Sequence, residues 1–143
     1  MLRLTKKLLF GIEAVLDIAY NAKARPVQAS AITKRQGIPK RYLEQVLQAL
    51  VRAGVLAGQR GPKGGYRLAR PAESITIAEI VRIVRTIEVA PDPLTGAPAS
   101  ALGHKIVRPI WIDLQTEMLE RLGGLTLAEL VERAKKAGVE AEG

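Results

Sequence analysis

Apolar residues recur along most of this chain at intervals of three and four, the period of a helix with one buried face. Leu8, Ile12, Val15, Leu16 and Ala19 mark a first helix that Thr5 can cap and that runs to about Asn21. A threonine hydroxyl suits that place because it accepts from the free amides of a first turn. Glu13 and Asp17 fall on the polar face of the same helix. Pro26 and Val27 make a short extended link. A second helix spans roughly Ala29 to Gln36 and stops at Gly37, a residue suited to a left-handed C-terminal turn. Pro39 then sits in the first turn of a third helix, over residues 39–53, where its missing amide costs little. Leu43, Val46, Leu47 and Leu50 form the inward stripe of that helix, and Arg41, Glu44, Gln45, Gln48 and Arg52 its outward row. Only about two residues separate helices two and three, which is the spacing of a helix-turn-helix with the third helix as reader.

The period then changes. Val55–Arg60 and Tyr66–Ala69 are short β-rich runs joined by Gly61-Pro62-Lys63-Gly64-Gly65, in which proline and glycine supply the dihedrals of a tight reversal. Arg60, Lys63 and Arg67 surround that reversal with positive charge. Arg, Glu and Gln can all reach base edges, so a polar-faced helix followed by a basic hairpin reads as a winged helix. Thr76-Ile77-Ala78-Glu79 fits a capping box in which Thr76 and Glu79 satisfy each other's free amides. The helix it opens carries Ile77, Ile80, Val81, Val84 and Ile87 on one side, a face that packs on the winged helix.

Periodicity stops between Glu88 and Gly103, where Pro91, Pro93, Pro98, Gly96 and several alanines interrupt it. A loop of about fifteen residues is long enough to have a regulatory role. A long helix follows from about Val107 to Leu122, with Val107, Trp111, Leu114, Met118 and Leu122 on one stripe and Ile106 and Ile110 beside it. Pro109 must lie in its first turn or kink it. The stripe exceeds what so small a domain can cover, and pairing with a second subunit is the economical use. Gly123-Gly124 ends this helix, Thr126-Leu127-Ala128-Glu129 forms a second capping box, and a last helix reaches about Ala137. The expected architecture is mainly α with a small β-hairpin. It comprises a winged-helix DNA-binding domain over residues 1–87, a Pro/Gly/Ala-rich regulatory loop over 88–105, dimerisation helices over 106–137 and a frayed tail over 138–143.

Composition narrows the chemistry. The net charge of +8 is unevenly placed: residues 1–70 hold fourteen Lys and Arg against three Asp and Glu, and residues 71–143 hold eight against eleven. The first half is therefore where a polyanion would bind. Cysteine is absent, which removes disulfides, thiolate metal sites, thiolate-held iron–sulfur clusters and cysteine nucleophiles together. His104 is the single histidine, and with Asp92 it makes too small a donor set for a metal. No nucleophile–base pair is visible, and the glycines of 61–65 open no helix and so cannot cradle a phosphate. An enzyme is excluded on these grounds. The N-terminus imitates a signal peptide, but Glu13 and Asp17 interrupt its apolar run, and no apolar stretch approaches ~20 residues. The expectation is a cytoplasmic protein with no membrane span.

These residues resemble the family of bacterial winged-helix regulators typified by IscR, NsrR and CymR, over nearly the whole length. The resemblance rests on Leu4-Thr5, Gln36-Gly37-Ile38-Pro39, Tyr42-Leu43-Glu44-Gln45, Arg60-Gly61-Pro62, Gly64-Gly65-Tyr66-Arg67-Leu68 and Leu125-Thr126-Leu127-Ala128-Glu129-Leu130. It implies a homodimer crossed through the long helix at Val107, Ile110, Trp111, Leu114, Met118 and Leu122, binding a palindromic site in double-stranded DNA as a repressor. By the same resemblance Lys40, Arg41, Tyr42, Glu44, Gln45 and Gln48 lie at the major groove. Arg60, Lys63, Gly64 and Arg67 form the wing in the minor groove, and Thr5 holds a phosphate, a role that competes with its capping one. Cluster-binding members carry three cysteines in the loop that here spans Glu88 to Lys105. This chain has none, so no iron–sulfur cofactor is expected. The signal would come from a small effector or, alternatively, from docking of a partner protein such as a metabolic enzyme.

Overall fold

The computed structural model describes residues 4–88 and 100–142. In chain order the described elements are α1 (Lys6–Asn21), α2 (Ala29–Gln36), α3 (Lys40–Arg52), β1 (Leu56–Gln59), β2 (Gly65–Leu68), α4 (Ile77–Arg85), α5 (Arg108–Gly123) and α6 (Leu127–Lys136). A single 3-10 turn covers Ala72–Ser74, and a π-helical turn over Gly103–Val107 leads into α5. The mainly α architecture with one hairpin is the one the hydrophobic pattern predicts.

Helices begin and end for local reasons. Thr5 caps α1 by accepting from the Leu8 amide at 3.1 Å. Gly37 closes α2 in the left-handed region at φ 67°, and its amide bonds to the Thr33 carbonyl at 2.9 Å. Pro39 occupies the N-cap of α3 rather than its first turn, so the helix starts one residue later than expected. Ile38, buried between the two helices, pins the turn of the helix-turn-helix to the core. Antiparallel pairing of Leu56 with Leu68 and Gln59 with Gly65 sets the hairpin register, within slightly shorter strands than the sequence suggests. Val27 extends this sheet: its amide and carbonyl bond to the Tyr66 carbonyl and amide at 2.8 and 2.7 Å. The short link after α1 therefore anchors the wing to the helices.

One contiguous core joins α1 to α4, β1 and α6, with Ile18, Ile32, Leu43, Leu47, Leu50 and Ile80 all but inaccessible. Burial of side chains this size stabilises by about 1.5–3 kcal/mol each. α1 is buried more widely than its expected stripe: Gly11, Ala14 and Ile18 join Leu8 and Val15 inside. At Gly11 the helix meets α4 so closely that a Cβ would stand 2.5 Å from the Val84 side chain.

Two expectations need correction. Asp17 is not on a solvated face but is 3% exposed, because Arg35 Nε and Nη2 and Gln36 Nε2 all donate to its carboxylate. The capping box at Thr76 is half formed: Thr76 accepts from the Glu79 amide at 3.2 Å, while the Glu79 carboxylate pairs with Arg70. Within residues 106–137, expected as dimerisation helices, α6 is also joined to the winged-helix core. Leu127 of α6 is fully buried in the winged-helix core, and Ile77 and Leu127 exchange backbone bonds with Leu125 and Ile75 at 2.9 and 2.8 Å. In the expected tail, Val139 and Glu142 bond to Tyr20, Asn21 and Arg35.

Most of the expected regulatory loop, residues 89–99, lies outside the described residues, and Asp92 with it. No helix among the described residues is long and apolar enough to cross a membrane.

Candidate nucleic-acid interface

The inward stripe of α3 decides where its outward row points. With Leu43, Val46, Leu47 and Leu50 buried, the helix presents Lys40, Arg41, Glu44, Gln45, Gln48 and Arg52 to solvent. The hairpin rises beside this row. Between them lies a cleft of about 590 Å³, lined by Gln48, Val51 and Arg52 from α3 and by Gln59, Arg60 and Gly61 from the wing. Gln28 at the start of α2 closes one end, and its amide donates to the Pro62 carbonyl at 3.1 Å.

Charge on this face is uncommitted. Lys40, Arg41, Arg52, Arg60, Lys63 and Arg67 form no ion pair among the described residues, whereas Arg35 and Arg70 away from the face do. Unpaired cations beside a groove are what a phosphate backbone needs. Glu44 is the one carboxylate in the row and adds an acceptor among donors.

Three residues expected at DNA sit differently. Tyr42 is buried, with its hydroxyl donating to the Lys7 carbonyl at 2.5 Å and its ring tilted against Phe10 at 6.1 Å. It holds α3 to α1. The Lys7 ammonium lies 5.7 Å above the same ring. Gly64 is also buried, and its amide closes the wing turn onto the Gly61 carbonyl at 2.9 Å, so it has no free donor for a phosphate. A Cβ there would stand 2.1 Å from the Gln59 carbonyl oxygen, which is why the position is glycine. Thr5 performs its cap, and its hydroxyl donates to the Glu88 carboxylate at 2.8 Å. Gln28 and Gln59 also line the cleft. Neither has a local signal, because only the approach of the wing to α2 and α3 brings them to the cleft.

On α5 no residue is buried: Ile110, Trp111, Leu114 and Met118 are 54%, 51%, 46% and 48% exposed, with Ile106 and Val107 alike. Leu119, and Leu122 at the end of the expected stripe, pack on the core instead. Apart from Leu122, the expected stripe is thus an open apolar face, larger than scattered surface leucines would make.

A solvent-facing reader helix braced by a second helix and flanked by a basic hairpin defines a winged-helix DNA-binding protein. The chain belongs to the Rrf2 family, described as iron-dependent transcriptional regulators, which it matches over residues 4–133. It is 37% identical over 131 residues to the HTH-type transcriptional regulator IscR of Escherichia coli O1:K1, covering 91% of this chain and 80% of that one. Among solved structures it is similar to IscR of T. potens, with TM-score 0.75 and 29% identity over 99% of this chain and 94% of that one. CymR, the global cysteine regulator of B. subtilis, follows at TM-score 0.72 and 25% identity over 93% and 98%. The chain is accordingly a DNA-binding transcriptional regulator and not an enzyme.

The family's iron dependence does not extend to a thiolate-held cluster here. The chain has no cysteine, and among the described residues no group of three or more His, Asp or Glu is placed to hold a metal ion. His104 is exposed within the π-helical turn.

Proposed function

We propose that two copies of this chain pair through α5 and set their α3 helices in successive major grooves of one palindromic operator, repressing by occluding the promoter. The observation that carries this reading is the unpaired cationic row of α3 and the wing, set on both sides of one cleft. Lys40 and Arg41 reach phosphate at the start of the helix, and Glu44, Gln45 and Gln48 meet base edges. A carboxylate there accepts from the cytosine amino group, and a glutamine pairs with adenine. Arg60 and Lys63 enter the adjoining minor groove, where Arg is favoured by a narrow, negative A·T-rich geometry. Arg67 contributes from β2, and Thr5 joins as a phosphate donor by turning its hydroxyl hydrogen away from Glu88. Without a thiolate for a cluster, the signal comes through a small effector or a docked partner protein, and we place its entry at residues 88–105.

The test begins with fragments of genomic DNA retained at near-physiological salt. A recurring palindrome whose half-sites lie one helical turn or a multiple apart is expected. Against that site Arg60→Ala should cost about 1–3 kcal/mol and relax preference at the A·T-rich flank, while Lys63→Ala should weaken all sequences alike and reduce the salt slope by about one. Equal losses of Arg60→Ala on operator and random DNA would sink the minor-groove assignment.

A further inference from the structure

Along α2 and the link that precedes it lies a second groove, about 670 Å³, lined by Asn21, Lys23, Arg25, Val27, Ala31 and Arg35. The chain's own residues 139–142 sit at its edge, and Glu142 forms part of its wall. We propose that this groove is a receptor for acidic peptide segments, and that residues 139–142 are its resident, displaceable occupant.

Recognition of the segment uses both its main chain and its charge. Tyr20 donates its hydroxyl to the Val139 carbonyl, and the Glu142 amide donates to Asn21 Oδ1 at 2.8 Å. Arg35 Nη1 meets the Glu142 carboxylate at 3.0 Å. Peptide main chain captured by side chains, with one charge as anchor, is the chemistry of a peptide site.

The receptor groups are also held by bonds that do not involve the segment. Asn21 is 6% exposed, and its Nδ2 donates to the Asp17 carbonyl at 3.0 Å, which leaves Oδ1 aimed at the incoming amide. Arg35 is locked by its two bonds to Asp17, at 2.9 and 2.7 Å, leaving Nη1 to face outward. Such preorganisation lowers the entropic penalty of docking.

Occupancy is incomplete in a telling way. The Glu142 side chain is 62% exposed, and Lys23 and Arg25 on the groove wall have no ion pair among the described residues. A longer acidic segment would therefore find two further cations. Gln28 lines both this groove and the cleft between α3 and the wing, so an occupant here shares a wall with the DNA face.

The absence of cysteine allows a clean experiment on the full chain. Spin labels are placed at S30C on α2 and A141C, both exposed and outside the groove lining. A single narrow distance is expected. Adding the peptide Gly-Val-Glu-Ala-Glu-Gly in millimolar excess should convert it to a broader, longer distribution, while Gly-Val-Gln-Ala-Gln-Gly should not. E142Q in the labelled chain should lower the acidic peptide concentration needed by about 2- to 5-fold, the worth of one exposed ion pair. A broad distance at the outset would overturn the proposal. So would a narrow one that the acidic peptide leaves unchanged even in E142Q, because the segment would then be a fixed part of the fold.

Discussion

At the residue scale, position in the core changes what a polar side chain does. Tyr42 looks from the sequence like a groove contact beside Glu44 and Gln45, yet it is the tie between α3 and α1. Burial, with the Glu88 carboxylate adding to it, pushes its hydroxyl up to about 12, against about 10 in an unfolded chain. Between those two values the unfolded chain gives up the Tyr42 proton and the folded one keeps it. Stability present below pH ~10 should therefore fall as pH rises through the window. Tyr42→Phe should remove that part of the slope, at a loss of about 1 kcal/mol near neutrality from the missing bond to Lys7. Denaturant midpoints taken across the window check this, and identical slopes for the two proteins would refute it. Asp17 teaches the same lesson in reverse. Its spacing from Glu13 made both look solvated, but α2 brings Arg35 and Gln36 over it, and the Arg35 guanidinium is held more firmly protonated as a result.

At the element scale, the hairpin depends on how closely it approaches the rest of the domain. Gly65 has φ 148°, and a Cβ there would lie 2.5 Å from the Val27 carbonyl oxygen, which accepts from the Tyr66 amide. Gly61 has φ 103° but open space around it. Gly61→Ala should incur backbone strain of about 1–3 kcal/mol. Gly65→Ala should add an overpacking loss of similar size, and it should speed hydrogen exchange at the Val27 and Tyr66 amides. Equal urea midpoints for the two variants would show that the close approach does not matter. The sequence made the glycine cluster legible as a turn. It could not show that Gly65 serves contact with Val27, some forty residues away, because that contact exists only after α1, α2 and the wing have docked.

At the scale of the whole molecule, the apolar face of α5 is open among the described residues. If two copies pair there, Trp111, the one tryptophan, becomes a concentration reporter. Its emission should shift to the blue as protein concentration is raised through the dimer constant. Leu114→Asp should abolish the shift and sediment as a monomer, without loss of helical content, because Leu114 is not part of the core. Its affinity for a palindromic operator should drop by at least about 100-fold, since two linked half-site contacts become one. A blue-shifted, concentration-independent Trp111 in that variant would refute pairing through this face.

What the sequence determined by itself was local and periodic. Stripes at 3.6-residue spacing, threonine caps, Gly37 and the glycine-proline turn each act within a few residues of themselves. They specified the helices, the hairpin, the helix-turn-helix and the outward row of α3. Two capping boxes could be read in the same way, although at Thr76 the glutamate went to Arg70 instead. Only the tertiary structure decided the rest. It buried Asp17 and Tyr42, put α6 into the winged-helix core, seated residues 139–142 against α1 and α2, and carried Gln28 and Gln59 to the cleft. Each of these depends on groups far apart in the chain, where neither spacing nor propensity holds information and where packing and paired hydrogen bonds choose the partner.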